Sequence, residues 1–169
     1  MDVLEAIFTR RSIRKFTGQP IAEEDLKTVL KAGFQAPSAH NYQPWDFVVV
    51  RNKNTLESIA QVHPYAKMLP QAGCGIIVCG DKERQRLTGF LVADCSAAIE
   101  NMLLAAHGIG LGAVWCGLYP VPELTKAIAE ILNLPSTVIP VGIVVVGYKN
   151  EMKKPADRYD ESKVHFEQW

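Results

Sequence analysis

Three arginines and a serine fall within one short stretch, Arg10-Arg11-Ser12-Ile13-Arg14. A guanidinium is a planar fork of N–H donors that fits a phosphate bidentately and does not lose its charge. The Ser12 hydroxyl and the N–H groups of the segment offer further donors to the same anion. A phosphate-bearing ligand is the chemistry these residues suit. A solvated basic turn has the same composition, so the cluster alone does not choose between the two. A second unusual stretch, Pro37-Ser38-Ala39-His40-Asn41-Tyr42-Gln43-Pro44-Trp45, concentrates amide, hydroxyl and aromatic groups between prolines. The flat amides of Asn41 and Gln43 pair donors with an acceptor, as the edge of a planar heterocycle requires. A plain surface loop is the alternative there.

The background against which these stretches stand is neutral. Lys+Arg and Asp+Glu both number 18, so no global basic field exists to hold nucleic acid or an anionic membrane. The Arg10–Arg14 charge is local, and a local anion is its economical explanation. At 169 residues, 48% hydrophobic and 21% charged, the chain suits one domain with a substantial core. No uninterrupted apolar run reaches membrane-spanning length, and Met1-Asp2-Val3-Leu4-Glu5 lacks the basic-then-apolar order of a signal peptide. Cys74, Cys79, Cys95 and Cys116 form no C-x-x-C pair and read as buried free thiols of a reducing cytoplasm. His40, His63, His107 and His165 show no metal-ligand spacing.

Elements must position these groups. Asp2 can cap a helix over residues 2–9, after which the arginines follow. A turn at 17–20 leads to a helix over 22–35, with Glu23, Glu24 and Asp25 in its first turn and Leu26, Val29, Leu30 and Phe34 on one face. Buried strands are expected at 46–51, 75–80, 113–117 and 138–148, with Pro140 at an edge or a bulge. Helices are expected at 54–62, 90–107 and 121–132. The 90–107 segment is apolar nearly all round, which points to a central helix with part of its surface in a subunit interface. The connector 81–88 looks the least structured. The glycines of Gly108-Ile109-Gly110-Leu111-Gly112 follow a helix and open a strand, the reverse of a dinucleotide fingerprint, so they read as a helix cap. Gly117 either lets a backbone approach a ligand or serves a simple turn. Helices and strands interleave without clean alternation, as in an α+β domain.

Together, R-R-S-I-R at 10–14, P-S-A-H-N-Y-Q-P-W at 37–45, the G-A-V-W-C-G segment ending at Gly117, V-V-V-G-Y at 144–148 and the V-H-F-x-x-W terminus resemble the nitroreductase family of FMN-dependent oxidoreductases, in its short form. The resemblance runs through the whole chain. It implies a single α+β domain over 1–169, a central, mostly antiparallel sheet flanked by helices, and an intertwined homodimer with FMN at its interface. Residues 150–169 would form an arm on the partner. Arg10, Arg11, Ser12 and Arg14 would hold the phosphate and ribityl chain, with Arg158 and Lys154 reaching the phosphate from the tail. Pro37, Ser38 and Asn41, from the partner subunit, would line the ring. Cys116 and Gly117 would place backbone donors near N5 and O4. The implied activity is hydride transfer from NAD(P)H through FMN to nitroaromatics, quinones or enones by ping-pong, with no catalytic side chain required. The sequence leaves open a flavin-binding protein without NAD(P)H turnover, or a specialised relative such as a reductive dehalogenase. The short 81–88 connector suggests an open pocket of broad specificity, and Cys116 is either a packed small residue or a thiol against the flavin.

Overall fold

The structure, a computed structural model, describes residues 1–169. Six helices and four strands follow in the order α1 (Val3–Thr9), α2 (Glu23–Phe34), β1 (Trp45–Val50), α3 (Lys53–Val62), α4 (Leu69–Ala72), β2 (Cys74–Asp81), α5 (Thr88–Gly108), β3 (Gly112–Gly117), α6 (Pro122–Leu132) and β4 (Val138–Gly147). The strands form one sheet, β1-β2-β4-β3, in which every neighbouring pair is antiparallel. β2 and β4 are central and β-branched, and the sheet is covered on both faces, which demands continuous apolar runs there.

Alternation along the strands sorts the core into two layers. Ile76 and Val78 of β2 with Val144 and Val146 of β4 face Leu91, Cys95, Ile99 and Met102 of α5 and Leu26 and Val29 of α2. Ile77, Cys79, Ile143 and Val145 face Leu56 and Ile59 of α3, Leu69 of α4 and Ile128 of α6. Each fully buried aliphatic side chain contributes roughly 1.5–3 kcal/mol of transfer free energy. α5 is long and apolar enough by length and composition to cross a membrane, yet eight of its residues pack into the domain. Its outer side, with Phe90 and Ala93, stays uncovered in the protomer.

Two sequence expectations change and one is narrowed. β1, expected as a buried strand, is the sheet's edge and is half-buried in its middle. Pro140 lies in an internal strand at the point where the β2–β4 register shifts, so it marks a bulge and not an edge. The 81–88 connector is a tied turn. Asp81, at the end of β2, accepts the Glu83 N–H at 2.9 Å and pairs with Arg84 at 3.2 Å, and Arg84 ties the turn to β1 through Asp46 and through the Trp45 carbonyl at 3.2 Å. The Gly110 reading holds: its φ of +89° turns the chain from α5 into β3.

Close packing also explains Gly147. A Cβ there would sit 2.4 Å from the Ala72 carbonyl oxygen, which is backbone and cannot swing aside. Gly147→Ala is expected to destabilise the protein by about 1–3 kcal/mol, a Tm loss of several degrees. Thermal melts against Gly108→Ala, where a Cβ meets nothing within 4 Å, check this.

Candidate functional site

The arginine segment is built into the fold from both sides. Ser12 bridges Ala113 in parallel, and the Ile13 N–H donates to the Ala113 carbonyl at 3.0 Å. So close an approach requires Gly112, whose Cβ would lie 2.7 Å from Ile13 and 2.9 Å from Lys149. On the other side the segment meets the chain leaving β4. Phe16 bridges Lys149, Thr17 N–H donates to the Tyr148 carbonyl at 2.9 Å, and Asn150 N–H donates to the Lys15 carbonyl at 2.8 Å.

Glu151 completes this clamp. Its Oε1 accepts the Arg14 N–H at 2.5 Å and the Lys15 N–H at 3.1 Å. Lys153 lies 3.4 Å from the same carboxylate and donates to the Ser12 carbonyl at 2.7 Å. The backbone N–H groups of 13, 14 and 15 are therefore spent inside the chain. For Ile13 and Arg14, the expectation that the segment's N–H groups serve an external anion is corrected. The Arg14 N–H, then the Lys153 ammonium, hold the Glu151 carboxyl below its ordinary value. A lowered folded pKa gives stability that is present at neutral pH and lost as pH falls through that value. Glu151→Gln is expected to lower Tm at pH 7, and the gap to the wild type should close towards pH 3.

The side chains sort into two hollows. Arg10, Arg11 and Arg158 line one of about 630 Å3, together with Pro155 and Tyr159. Arg10 Nε lies 3.4 Å from Glu100, which holds the guanidinium in place, while Arg11 donates to the Lys154 carbonyl. Lys154 thus contributes its backbone here, and its side chain is exposed. Arg14 lines the other hollow, about 650 Å3, with His63, Tyr65, Trp115, Cys116 and Gly117.

The floor of this second hollow is the open edge of β3. Ala113 and Gly117 turn their carbonyls outward, to Ile13 and to His63, whereas the Leu118 N–H turns inward to Val141 at 3.1 Å. The alternation therefore puts the Gly117 N–H on the outer edge and the Cys116 N–H towards β4. Gly117 is exposed, has no positive φ, and a Cβ on it would meet nothing within 4 Å. Neither packing nor backbone conformation asks for glycine there, and the space beside the strand is open. The Cys116 thiol is engaged within the chain. Its Sγ donates to the Tyr65 carbonyl at 3.4 Å, and burial pushes its pKa up to about 11. The other three thiols are buried and free as expected, at about 11 to 12 for the same reason.

Pro37, Ser38 and Asn41 line neither arginine hollow of their own chain. Their loop is nevertheless tightly specified. Ser38 Oγ accepts the Gln43 N–H at 2.9 Å, and buried Asp94 accepts the Ala39 N–H at 3.0 Å. His40, Asn41 and Gln43 all have positive φ, at 53°, 56° and 47°. Such strain, of order 1–3 kcal/mol per residue, persists where the surroundings over-determine a conformation, and it clusters at functional sites. Glu151, Asp94 and His63 are the residues that sequence reasoning missed. Each acts on backbone groups far along the chain, and no local pattern announces that.

The sheet, the two helical layers and the arginine-lined edge define a class. The sequence profile of the Nitroreductase family matches residues 7–70 and 60–148. The chain belongs to that family. It is 46% identical over 169 residues to a Methanothermobacter thermautotrophicus protein provisionally named NADH dehydrogenase/NAD(P)H nitroreductase, covering all of this chain and 88% of that one. A crystal structure of a protein with the same provisional name from Parabacteroides distasonis superposes with a TM-score of 0.96 at 35% identity, over 99% of this chain and 98% of the other. An FMN-dependent nitroreductase from Clostridium difficile R20291 superposes at 0.91 with 31% identity, over 98% and 99%.

Proposed function

We propose that this oxidoreductase binds FMN across the two hollows and passes a hydride from NAD(P)H to a small nitroaromatic or quinone acceptor, donor and acceptor using the site in turn. The observation that carries the reading is the bare Gly117 edge of β3 lying one arginine segment away from a three-guanidinium hollow. A phosphate monoester dianion needs several fixed cations. Arg10, Arg11 and Arg158 supply them from opposite ends of the chain, with Ser12 beside them and Lys154 within the same tail. FMN, when bound, supplies the hydride chemistry. Arg14 supplies positive charge to the ring, and Gly117 N–H supplies a fixed donor; both favour the electron-rich form. The Cys116 thiol takes no part, being engaged with Tyr65.

Pro37, Ser38 and Asn41 serve the site of a second copy of this chain in a homodimer. Supporting this are the apolar side chains that one protomer leaves uncovered: Val3, Leu4, Ile7 and Phe8 on α1, and Phe166 and Trp169 in the tail. Residues 150–169 contain one helical turn, Glu161–Lys163, and are mostly exposed, as an arm lying on a partner would be. Four unpaired thiols fit a reducing, cytoplasmic location.

The test is the visible spectrum of the purified protein with added FMN, followed by anaerobic titration with NADPH and NADH. Bound flavin that bleaches with either donor is the expected result. Bound flavin that neither donor bleaches would instead identify a flavin-binding protein without NAD(P)H turnover. Failure to bind FMN would overturn the cofactor assignment.

A further inference from the structure

His63 is 1% exposed and sits where α3 ends. Both ring nitrogens are engaged. Nδ1 accepts the Tyr65 N–H at 3.1 Å, and since an N–H can only donate, Nδ1 carries no proton. Nε2 lies 2.9 Å from the Gly117 carbonyl, which can only accept, so Nε2 carries the proton. The two backbone groups together select one neutral tautomer. No step described above uses this ring.

Its partner is what gives it a role. Gly117 ends β3, on an edge with no neighbouring strand, and has no side chain to restrict its rotation. β4 holds the inner side of the Gly117–Leu118 peptide through Leu118 N–H and Val141. Only His63 holds the outer side. We propose that His63 is a positioning residue: by pinning the Gly117 carbonyl it fixes the outer side of the Gly117–Leu118 peptide while β4 holds the preceding Cys116–Gly117 peptide, so Gly117 stays extended and its N–H stays directed into the second hollow as a fixed donor to the flavin ring. It also occupies a carbonyl lone pair that would otherwise face the electron-rich edge of that ring. The inference rests on the FMN reading above. Other groups lining this hollow do not replace it. Lys67 is turned to the end of α3, donating to the Ala60 carbonyl at 2.8 Å, and Arg14 is a side-chain cation with no bond to Gly117.

The test compares His63→Phe, which fills the space with neither donor nor acceptor, with His63→Gln, which offers both. FMN affinity is read by fluorescence quenching, and the midpoint potential of bound flavin by equilibration with dyes. His63→Phe should weaken FMN binding by about tenfold, the loss of one net hydrogen bond, and lower the potential. His63→Gln should recover most of both. A packing role alone would move stability in the Phe variant and leave the potential where it was. Wild-type protein that holds no FMN overturns the flavin reading itself. Wild type that binds FMN, with His63→Phe equal to it in affinity and potential, overturns the positioning role and spares that reading. If His63→Phe does not fold, His63→Asn, too short to reach both partners, takes its place, and equal affinities in the Asn and Gln variants overturn the proposal.

Discussion

Arg10→Ala combined with Arg14→Ala is expected to give a folded protein that is colourless after purification and binds FMN about 10²–10⁴-fold more weakly. The magnitude follows from removing two charge-assisted contacts, each contributing roughly 1.5–3 kcal/mol. The fold should tolerate the change. Arg14 is exposed, and its structural bond to Glu151 is made by the backbone N–H, which alanine keeps. Arg10 loses only the pair with Glu100, whose side chain is half exposed, so the carboxylate left behind is solvated and the loss is small. Apoprotein melts should therefore be close to wild type, while the rise in Tm on adding FMN disappears, since that rise is binding free energy. Arg11→Ala is the informative single variant. That guanidinium is partly committed to the Lys154 carbonyl and should matter less for FMN and more for the order of the tail. Stoichiometric FMN retained in the double variant would refute the roles given to Arg10 at the phosphate and Arg14 at the ring.

What could be read from the sequence follows from what local pattern encodes. The helix expected at 22–35 is Glu23–Phe34, and the strand expected at 138–148 is Val138–Gly147, because periodicity and β-branched runs act within the element itself. Lateral position is not encoded there. The run Phe47-Val48-Val49-Val50 is as apolar as a central strand, yet β1 is an edge whose middle is half-buried. Polar composition misled at 81–88, where Asp81 closes the turn and Arg84 ties it to β1. The arginine cluster was visible as a candidate anion site, since charge density is local. Its division into two hollows was not, nor was the use of its N–H groups by Glu151, because both depend on β3 and the tail meeting at the same segment.

Gly117 offers the sharpest separation of folding from binding. Most glycines in strands are there for packing: Gly142 would place a Cβ 2.3 Å from the Trp115 indole, and Gly80 one 2.2 Å from Leu91. Alanine at either site must displace a neighbouring side chain, the partly exposed Trp115 or the buried Leu91. At Gly117 a Cβ meets nothing within 4 Å, and φ is not positive. Gly→Ala at a compatible position stabilises by about 0.4–1 kcal/mol through the unfolded chain, and valine adds strand propensity. Gly117→Ala and Gly117→Val should thus fold at least as well as the wild type, with apoprotein Tm equal or higher. Their FMN affinity should fall steeply, more for valine than for alanine, because each added carbon occupies the space where a flat ring meets the β3 edge. The two quantities are measured on the same samples, by thermal melts without FMN and fluorescence titration with it. Wild-type affinity in Gly117→Val would mean that the ring does not lie against this edge, and the donor role of the Gly117 N–H would go with it. A destabilised apoprotein would instead mean that glycine is needed there by the fold, contrary to the open space beside it.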